Sequence, residues 1–538
     1  MALPPNLTEA EFSAALDEFS AAVGADWVFS SDEDVALYRD SYSIHWDEPE
    51  ERVASAAVAP ANVEEVQQVV RIANRFGIPL YPISTGRNLN YGGAAPNLTG
   101  SVVVDLKRMN RILKVDEDRH FALVEPGVAY FDLYAYIKEH DLKVMIDVPD
   151  PGWGSPMGNS LDHGVGFGMA PFRDHFAAHC GMEVVTPEGE VIRTGMGALP
   201  GSDSWQDFRY SAGPSVDGLF AQSNFGIVTK MGFWLMPLPE AYLTGTISVP
   251  RYQDLVAMVA EVNYLEDSFL TGLPSFSSPL GGGSEQSPAL ASLMENGWPS
   301  IEQLEQFVDS QDGPAWSVTL NFYGPEESVR ANWSAAKRRF GNAIAGAVFE
   351  EGEFLTLPIP PEDEANLREK RRFGIPSLEA FTLTSRTALT ADDPPEGHAD
   401  LLIIVPRTAQ ANWDCARVLY EIYTEMGLPP ITSPFSAPSS FIPRSFIRFI
   451  LIPTWRDPER NRTSREIFSR LIDRCAEHGW GDYRTSPAFQ DQLVGTYSYN
   501  NNSLLRFQEK LKDSIDPNGI ISPGRYGIWP ANMRNGRA

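Results

Sequence analysis

Pro82-Ile83-Ser84-Thr85-Gly86-Arg87-Asn88-Leu89-Asn90-Tyr91-Gly92-Gly93 packs small residues around one arginine, directly after a helical pattern and a short apolar run. Where side chains are small or absent, backbone N–H groups can turn inward together and form a nest for an anion. Upstream, Val63, Val66, Val69, Val70, Ala73 and Phe76 recur at helical spacing, Gly77 supplies a stop, and Pro79 follows. Leu80 to Ile83 then reads as a buried strand entering the glycine turn. A strand ending in such a nest suits a pyrophosphate, so Ser84, Thr85, Gly86, Arg87 and Asn88 are candidates for binding a dinucleotide. The segment is not the usual fingerprint, in which G-x-G-x-x-G opens a helix and an acidic residue follows about 20 positions later. An ordinary Gly/Asn turn accounts for the same residues equally well.

Working outward, the 538 residues exceed one typical core, so two domains are expected. The net charge of −28 argues against a nucleic-acid partner, which needs stripes of Lys and Arg. Cys180, Cys415 and Cys475 lie far apart with no CxxC pair, so neither a disulfide scaffold nor a zinc ribbon is suggested. The N-terminus is acidic, and Thr8 to Glu11 reads as a capping box opening an amphipathic helix. No segment reaches the roughly 18 apolar residues that would span a membrane. The expectation is a soluble, cytoplasmic protein without a membrane or nucleic-acid partner.

Residues 1–240 mix helical and strand patterns with many glycines, including the run Ser101 to Leu106 and the hairpin-like Met182 to Arg193. From about 241 the glycine motifs stop. A Gly/Ser-rich stretch at Ser277 to Ser287 reads as a flexible surface connection, and helical patterns at Ser328 to Phe340 and Ala409 to Met426 alternate with strands at Trp316 to Phe322 and Leu401 to Val405. From about 495 the style of the first half returns. This suggests one discontinuous domain, 1–240 plus 495–538, carrying an insert at 241–494.

Three decoys are set aside. Gly152-Trp153-Gly154 with Gly158 imitates a dinucleotide fingerprint, but its last spacing is one residue too long and Pro156 stands where a helix should start. His175 and His179, at i and i+4, could set two imidazoles on one helix face for a metal. With no acidic third ligand identifiable, surface or core histidines are the plainer reading and no metal is expected. Ser215 lacks the G-x-S-x-G elbow of a serine hydrolase.

The blocks STGRNLNYGGAAP at 84–96, DVPDPGWGSPMGN at 147–159, TGMGALPG at 194–201, SNFGIVTKMGFWLMP at 223–237, GWGDYRT at 479–485 and DPNGIISPGRYGIWP at 516–530 resemble the vanillyl-alcohol oxidase and p-cresol methylhydroxylase group of flavoenzymes. They occur in the family's order, and the resemblance thins between about 240 and 480. It implies an α+β chain: a bicyclic FAD-binding domain with an inserted α/β cap domain, oxidising para-substituted phenols. The 1–240 and 495–538 segments would hold FAD and 241–494 the substrate cap.

By this resemblance Tyr91, Tyr483 and Arg484 match the clamp that holds the substrate as phenolate, since two hydroxyl donors and a guanidinium lower its pKa. The phenolate pushes electrons toward the para carbon, hydride leaves Cα for flavin N5, and a quinone methide remains, to which water adds. Asp150 matches a carboxylate beside N5 and Cα that stabilises positive character and acts as base, while Asp147 reads as a strand-end cap. His398, between an Asp/Pro-rich loop and the strand expected at Leu401, matches the histidine bonded to the flavin 8α carbon. The methylhydroxylase branch uses a tyrosine there, and the matching position is Thr384. His45 falls within one residue of a histidine that assists the attachment. Arg525 matches a cation at the flavin N1–C2 edge, which stabilises the anionic reduced form. Ser223, Asn224, Gly226 and Ile227 look like FAD contacts from a strand edge, with Gly158 and Asn159 in the same pocket.

The implied cofactor is thus FAD, covalent through His398, with O2 as acceptor and hydrogen peroxide as co-product, in a homodimer or higher homo-oligomer. The rival readings are a dehydrogenase passing electrons to a cytochrome c subunit, and a flavin-fold binding protein without turnover. Plainer readings of single residues stay open: a turn aromatic at Tyr91, a surface pair at Tyr483-Arg484, turn chemistry around Asp150, a loop histidine at His398 and a solvated Arg525. Phe167 to His175 is two residues longer than in relatives, with Phe167 replacing a tyrosine. Asp400 stands where relatives carry an apolar side chain. The usual vanillyl alcohol or eugenol is therefore not expected as best substrate.

Overall fold

The structure, a computed structural model, describes residues 2–281, 288–379 and 395–534. The side chain of Asn62 accepts from the Glu65 amide to cap the helix Val63–Phe76, and Gly77 closes it in the left-handed conformation at φ 69°. Its buried residues Val66, Val69, Val70, Ile72 and Ala73 fall on one face, as 3.6-residue periodicity dictates. The strand Leu80–Ile83 then pairs in parallel with Val102–Asp105, which pairs in parallel with Ala56–Val58. Both of the latter are buried throughout, as strands covered on two faces must be. The helix Glu9–Val23, opened by the Thr8–Glu11 capping box, packs in the same cluster, joined by Ile520 and Ile521.

A second, antiparallel sheet has the order Ile112–Asp116, Phe121–Val124, Ile227–Trp234, His179–Val185, Val191–Arg193, its last two strands forming the expected hairpin. Beyond it, Ala241–Val249 lies between Trp316–Gly324 and Val348–Thr356, and Gly397–Pro406 lies between Ser445–Thr454 and Gly481–Asp482. Helices alternate with these strands, and every described pairing here is antiparallel. One core containing Trp316, Trp333, Phe435 and Phe468 joins both sheets; apart from Ile44, its buried members fall between Ala241 and Leu493.

Local readings needed correction. The strand expected at Leu401 starts at Gly397, because Ser445–Thr454 continues the ladder past the apolar run and pairs His398 with Pro453 and Asp400 with Leu451. Pro156 does not replace a helix start but forms one: Ser155 caps the helix Pro156–Leu161, and proline at the first position gives up no needed hydrogen bond. His175 and His179 share no helix, since one follows Ala170–Arg173 and the other opens a strand. Each faces an aspartate, Asp147 at 2.9 Å and Asp217 at 3.1 Å. Of the Ser277 to Ser287 stretch, Ser277 ends the strand Ser275–Ser277 and 282–287 lie outside the described residues, as does Thr384. Among the described residues no three potential ligand side chains gather for a metal, and no helix is long and apolar enough to cross a membrane.

The C-terminal segment is fastened by a buried cation. Lys512 Nζ donates to the carbonyls of Asn224 and Ile521, both at 2.6 Å, and to Asp516 Oδ2 at 2.7 Å. Removing one partner of a buried pair typically costs about 3–5 kcal/mol, because the other charge stays desolvated. Lys512→Met should therefore lower the thermal midpoint by several degrees. An unchanged midpoint in a thermal melt would contradict this fastening role.

Candidate cofactor and substrate site

The strand Leu80–Ile83 delivers Ser84–Asn88 and Tyr91 to one wall of a cavity of about 540 Å³, whose other walls come from Pro149–Gly158, Ser223–Val228, the strand Gly397–Pro406, Tyr483-Arg484 and Arg525. Of the residues matched to FAD contacts, the flavin link, the clamp and the catalytic carboxylate, all but Asn224 line it. Asn224 is fully buried and donates from Nδ2 to the carbonyls of Ser522 and Ile528 at 3.3 and 2.8 Å. Its side chain holds the C-terminal segment rather than facing the cavity.

The glycine loop is shaped by its own side chains. Asn88 Oδ1 accepts from the amides of Tyr91 and Gly93, both at 3.1 Å, and Asn88 Nδ2 donates to the Gly93 carbonyl at 3.0 Å. Asn88 thus places Tyr91. Gly86 turns the chain at φ 65°, and a Cβ on Gly158 would fall 2.3 Å from Ser84 Oγ. Only glycine lets the two walls come this close.

Among the residues expected to form the clamp, the Arg484 guanidinium lies over the Tyr91 ring at 4.2 Å and 5.8 Å from the Tyr483 ring. The Arg484 amide donates to Asp482 Oδ1 at 2.9 Å, and Gln222 Nε2 donates to the Tyr483 carbonyl at 3.0 Å. Burial pushes both tyrosine hydroxyls up, against the opposing pull of Arg484, so both are protonated donors at neutral pH. Burial also raises Asp482 to about 8.

Asp150 pairs with Arg371, whose guanidinium lies 4.1 Å over the Phe167 ring. Burial raises the Asp150 carboxyl, with the Arg371 charge opposing it. Arg525 donates to Tyr81 OH and Asp162 Oδ1, both at 2.9 Å. The Asp162 carbonyl is 3.5 Å from Arg484 Nη1, so one residue touches both arginines. Asp147 does more than end a strand. Its Oδ2 accepts from the Gly168 amide at 2.7 Å and its Oδ1 meets His175, while a Cβ on Gly166 would fall 1.3 Å from Oδ1. It holds the loop that carries Phe167. Asn159 joins this network through Tyr130 and His175.

His398 lines the cavity, and its Nδ1 is buried without a partner among the described residues. Tyr42 packs edge-on against it at 5.3 Å. His45 is outside the cavity lining and faces Glu48 at 3.3 Å. Arg371 and Asp162 escape sequence reasoning: Arg371 sits in the cationic run Lys370-Arg371-Arg372, where nothing distinguishes it, and its partner is 221 positions away. The cradle between Ser84 and Gly158, the cation Arg525 and the free imidazole nitrogen fit an FAD.

A family model described as an FAD binding domain matches residues 54–195. The chain is 33% identical to the flavoprotein subunit of 4-cresol dehydrogenase (hydroxylating) from Pseudomonas putida, over 98% of this chain and 97% of that one. It is 40% identical to 1'-carboxy-chondrochloren decarboxylase from Chondromyces crocatus, over 88% and 91%. The structure of 4-ethylphenol oxidase from Gulosibacter chungangensis, in complex with isoeugenol, superposes with a TM-score of 0.80 at 34% identity, covering 99% of this chain and all (100%) of that one. That of p-cresol methylhydroxylase with substrate bound gives 0.80 at 32%, covering 98% and 99%. The fold is thus an FAD-binding domain of the p-cresol methylhydroxylase type, and the chain belongs to the p-cresol methylhydroxylase and vanillyl-alcohol oxidase family of FAD-dependent oxidoreductases.

Proposed function

We propose that the protein oxidises para-substituted phenols with O2 as electron acceptor and hydrogen peroxide as co-product. Residues 1–240 and 495–538 hold FAD, and 241–494 close over the substrate. The observation that carries this reading is the convergence of Tyr91, Tyr483 and Arg484 on the cavity that also holds Asp150 and Arg371. Bound FAD supplies the acceptor for a hydride from the substrate Cα. Arg484 and the two hydroxyls hold the phenol oxygen as phenolate, which drives electron density toward the para carbon. Loss of hydride from Cα leaves a quinone methide. Asp150 takes the proton from water, or from a side-chain hydroxyl, that completes the product. Arg371 holds that carboxylate in place.

Similarity to a dehydrogenase subunit favours a second reading, in which the electrons leave to a cytochrome c partner. Stopped-flow mixing of the reduced enzyme with air separates the two. Rapid return of the yellow flavin is expected, and minutes-long persistence of the reduced form would establish the dehydrogenase instead.

In this reading His398, whose Nδ1 is buried without a partner among the described residues, would hold the flavin covalently. His398→Ala should then abolish covalent flavin while leaving reversible binding, because the cradle of Ser84, Gly86 and Gly158 remains. Acid precipitation checks it: yellow colour left in the supernatant of the unaltered protein would refute the linkage.

A further inference from the structure

Asp400 is a carboxylate set beside apolar wall residues. It stands opposite Leu451 in the strand pairing, and Leu451, Phe449 and Phe441 also line the cavity. Its side chain is only 11% exposed. Oδ2 lies 3.5 Å from the Tyr91 hydroxyl. Oδ1 lies 3.5 Å from His398 Nε2, at the outer edge of hydrogen-bond reach, and has no hydrogen-bond partner among the described residues. The Asp400 amide is satisfied by Asn90 Oδ1 at 3.4 Å, so the unmet demand is on the side chain. A desolvated carboxylate oxygen without a donor is costly, and a ligand that brings one is favoured.

This inference rests on the phenolate reading above. If Tyr91 binds the phenol oxygen, the ring substituent next to that oxygen is the one that reaches Asp400. We propose that Asp400 makes the site selective for catechol-type substrates, 4-substituted phenols bearing a second hydroxyl ortho to the phenol oxygen. That hydroxyl donates to Asp400 in a charge-assisted hydrogen bond. A methoxy group in the same place presents lone pairs to the carboxylate, and an unsubstituted ring presents only C–H. Both leave Oδ1 desolvated and unpaired, so discrimination works by penalty as well as by attraction.

Catechol, guaiacol and phenol carry no para substituent whose Cα could be oxidised, so their binding to the holoenzyme can be titrated by the change in flavin absorbance. The unaltered enzyme should bind catechol about tenfold or more tighter than guaiacol, the scale of one hydrogen bond to a charged group. Asp400→Leu should erase or reverse that ratio, and the isosteric Asp400→Asn should keep only part of it, since a neutral acceptor bonds more weakly. The ratio kcat/KM for 4-ethylcatechol over 2-methoxy-4-ethylphenol should move in parallel. An unchanged catechol-to-guaiacol ratio in both variants would overturn the proposal. So would loss of covalent flavin in Asp400→Asn with the ratio intact, which would assign the carboxylate to His398. Anaerobic reduction by 4-ethylphenol separates this from the underlying reading: bleaching with an unchanged ratio sinks only the role of Asp400, whereas no bleaching by any 4-alkylphenol sinks both.

Discussion

Asp150→Ala should slow anaerobic flavin reduction by about 10²–10⁴-fold, the usual contribution of a positioned acid–base or electrostatic group, while shifting substrate affinity only a few-fold. The split follows from timing. In the proposed mechanism Asp150 meets its demand as charge develops at Cα and a proton leaves the incoming hydroxyl, neither of which exists in the ground state. The carboxyl must be ionised to act, and burial holds it above the ordinary carboxylate range. Turnover should therefore fall as the pH drops through that raised pKa, and this acid limb should vanish in Asp150→Asn. Arg371→Ala removes the opposing cation, so the limb should move to higher pH. A reduction rate within a few-fold of the unaltered enzyme in Asp150→Ala would remove the residue from the mechanism.

Arg484→Ala should weaken phenolate-like inhibitors roughly tenfold or more, since a hydrogen bond to a charged partner is worth about 1.5–3 kcal/mol. Arg484→Lys should recover only part of the loss, because an ammonium keeps the charge but not the planar donor fork of the guanidinium that lies over the Tyr91 ring. Equal affinity in Arg484→Ala, measured by flavin perturbation, would mean that the guanidinium does not face the phenol oxygen.

What could be read from the chain was what local rules and contiguous blocks encode. The helix Val63–Phe76, its Gly77 stop and the strand Leu80–Ile83 follow from periodicity and capping, and they place the nest loop without any tertiary information. Tyr483-Arg484 and Arg525 lie in intact blocks, so their arrival at one cavity was expected. Tertiary pairing hid the rest. Arg371 acquires meaning only through Asp150, and Asp162 only by bridging Arg484 and Arg525. Asn224 sits among cavity residues in sequence, yet the carbonyls of Ser522 and Ile528 turn its amide away. The start of the strand at Gly397 was set by its partner rather than by its own Gly-His-Ala-Asp composition, which no strand rule favours.

Anaerobic flavin bleaching by a 4-alkylphenol, compared with bleaching by its methyl ether, tests phenolate oxidation most directly. Methylation removes both the ionisation and the electron push that the proposed clamp of Tyr91, Tyr483 and Arg484 would support, whether or not the ether enters the cavity. Bleaching by the free phenol, with hydride transfer from the ether nearly abolished, is the expected result. Equal reduction rates for the two would contradict the phenolate mechanism and the assignment of the clamp.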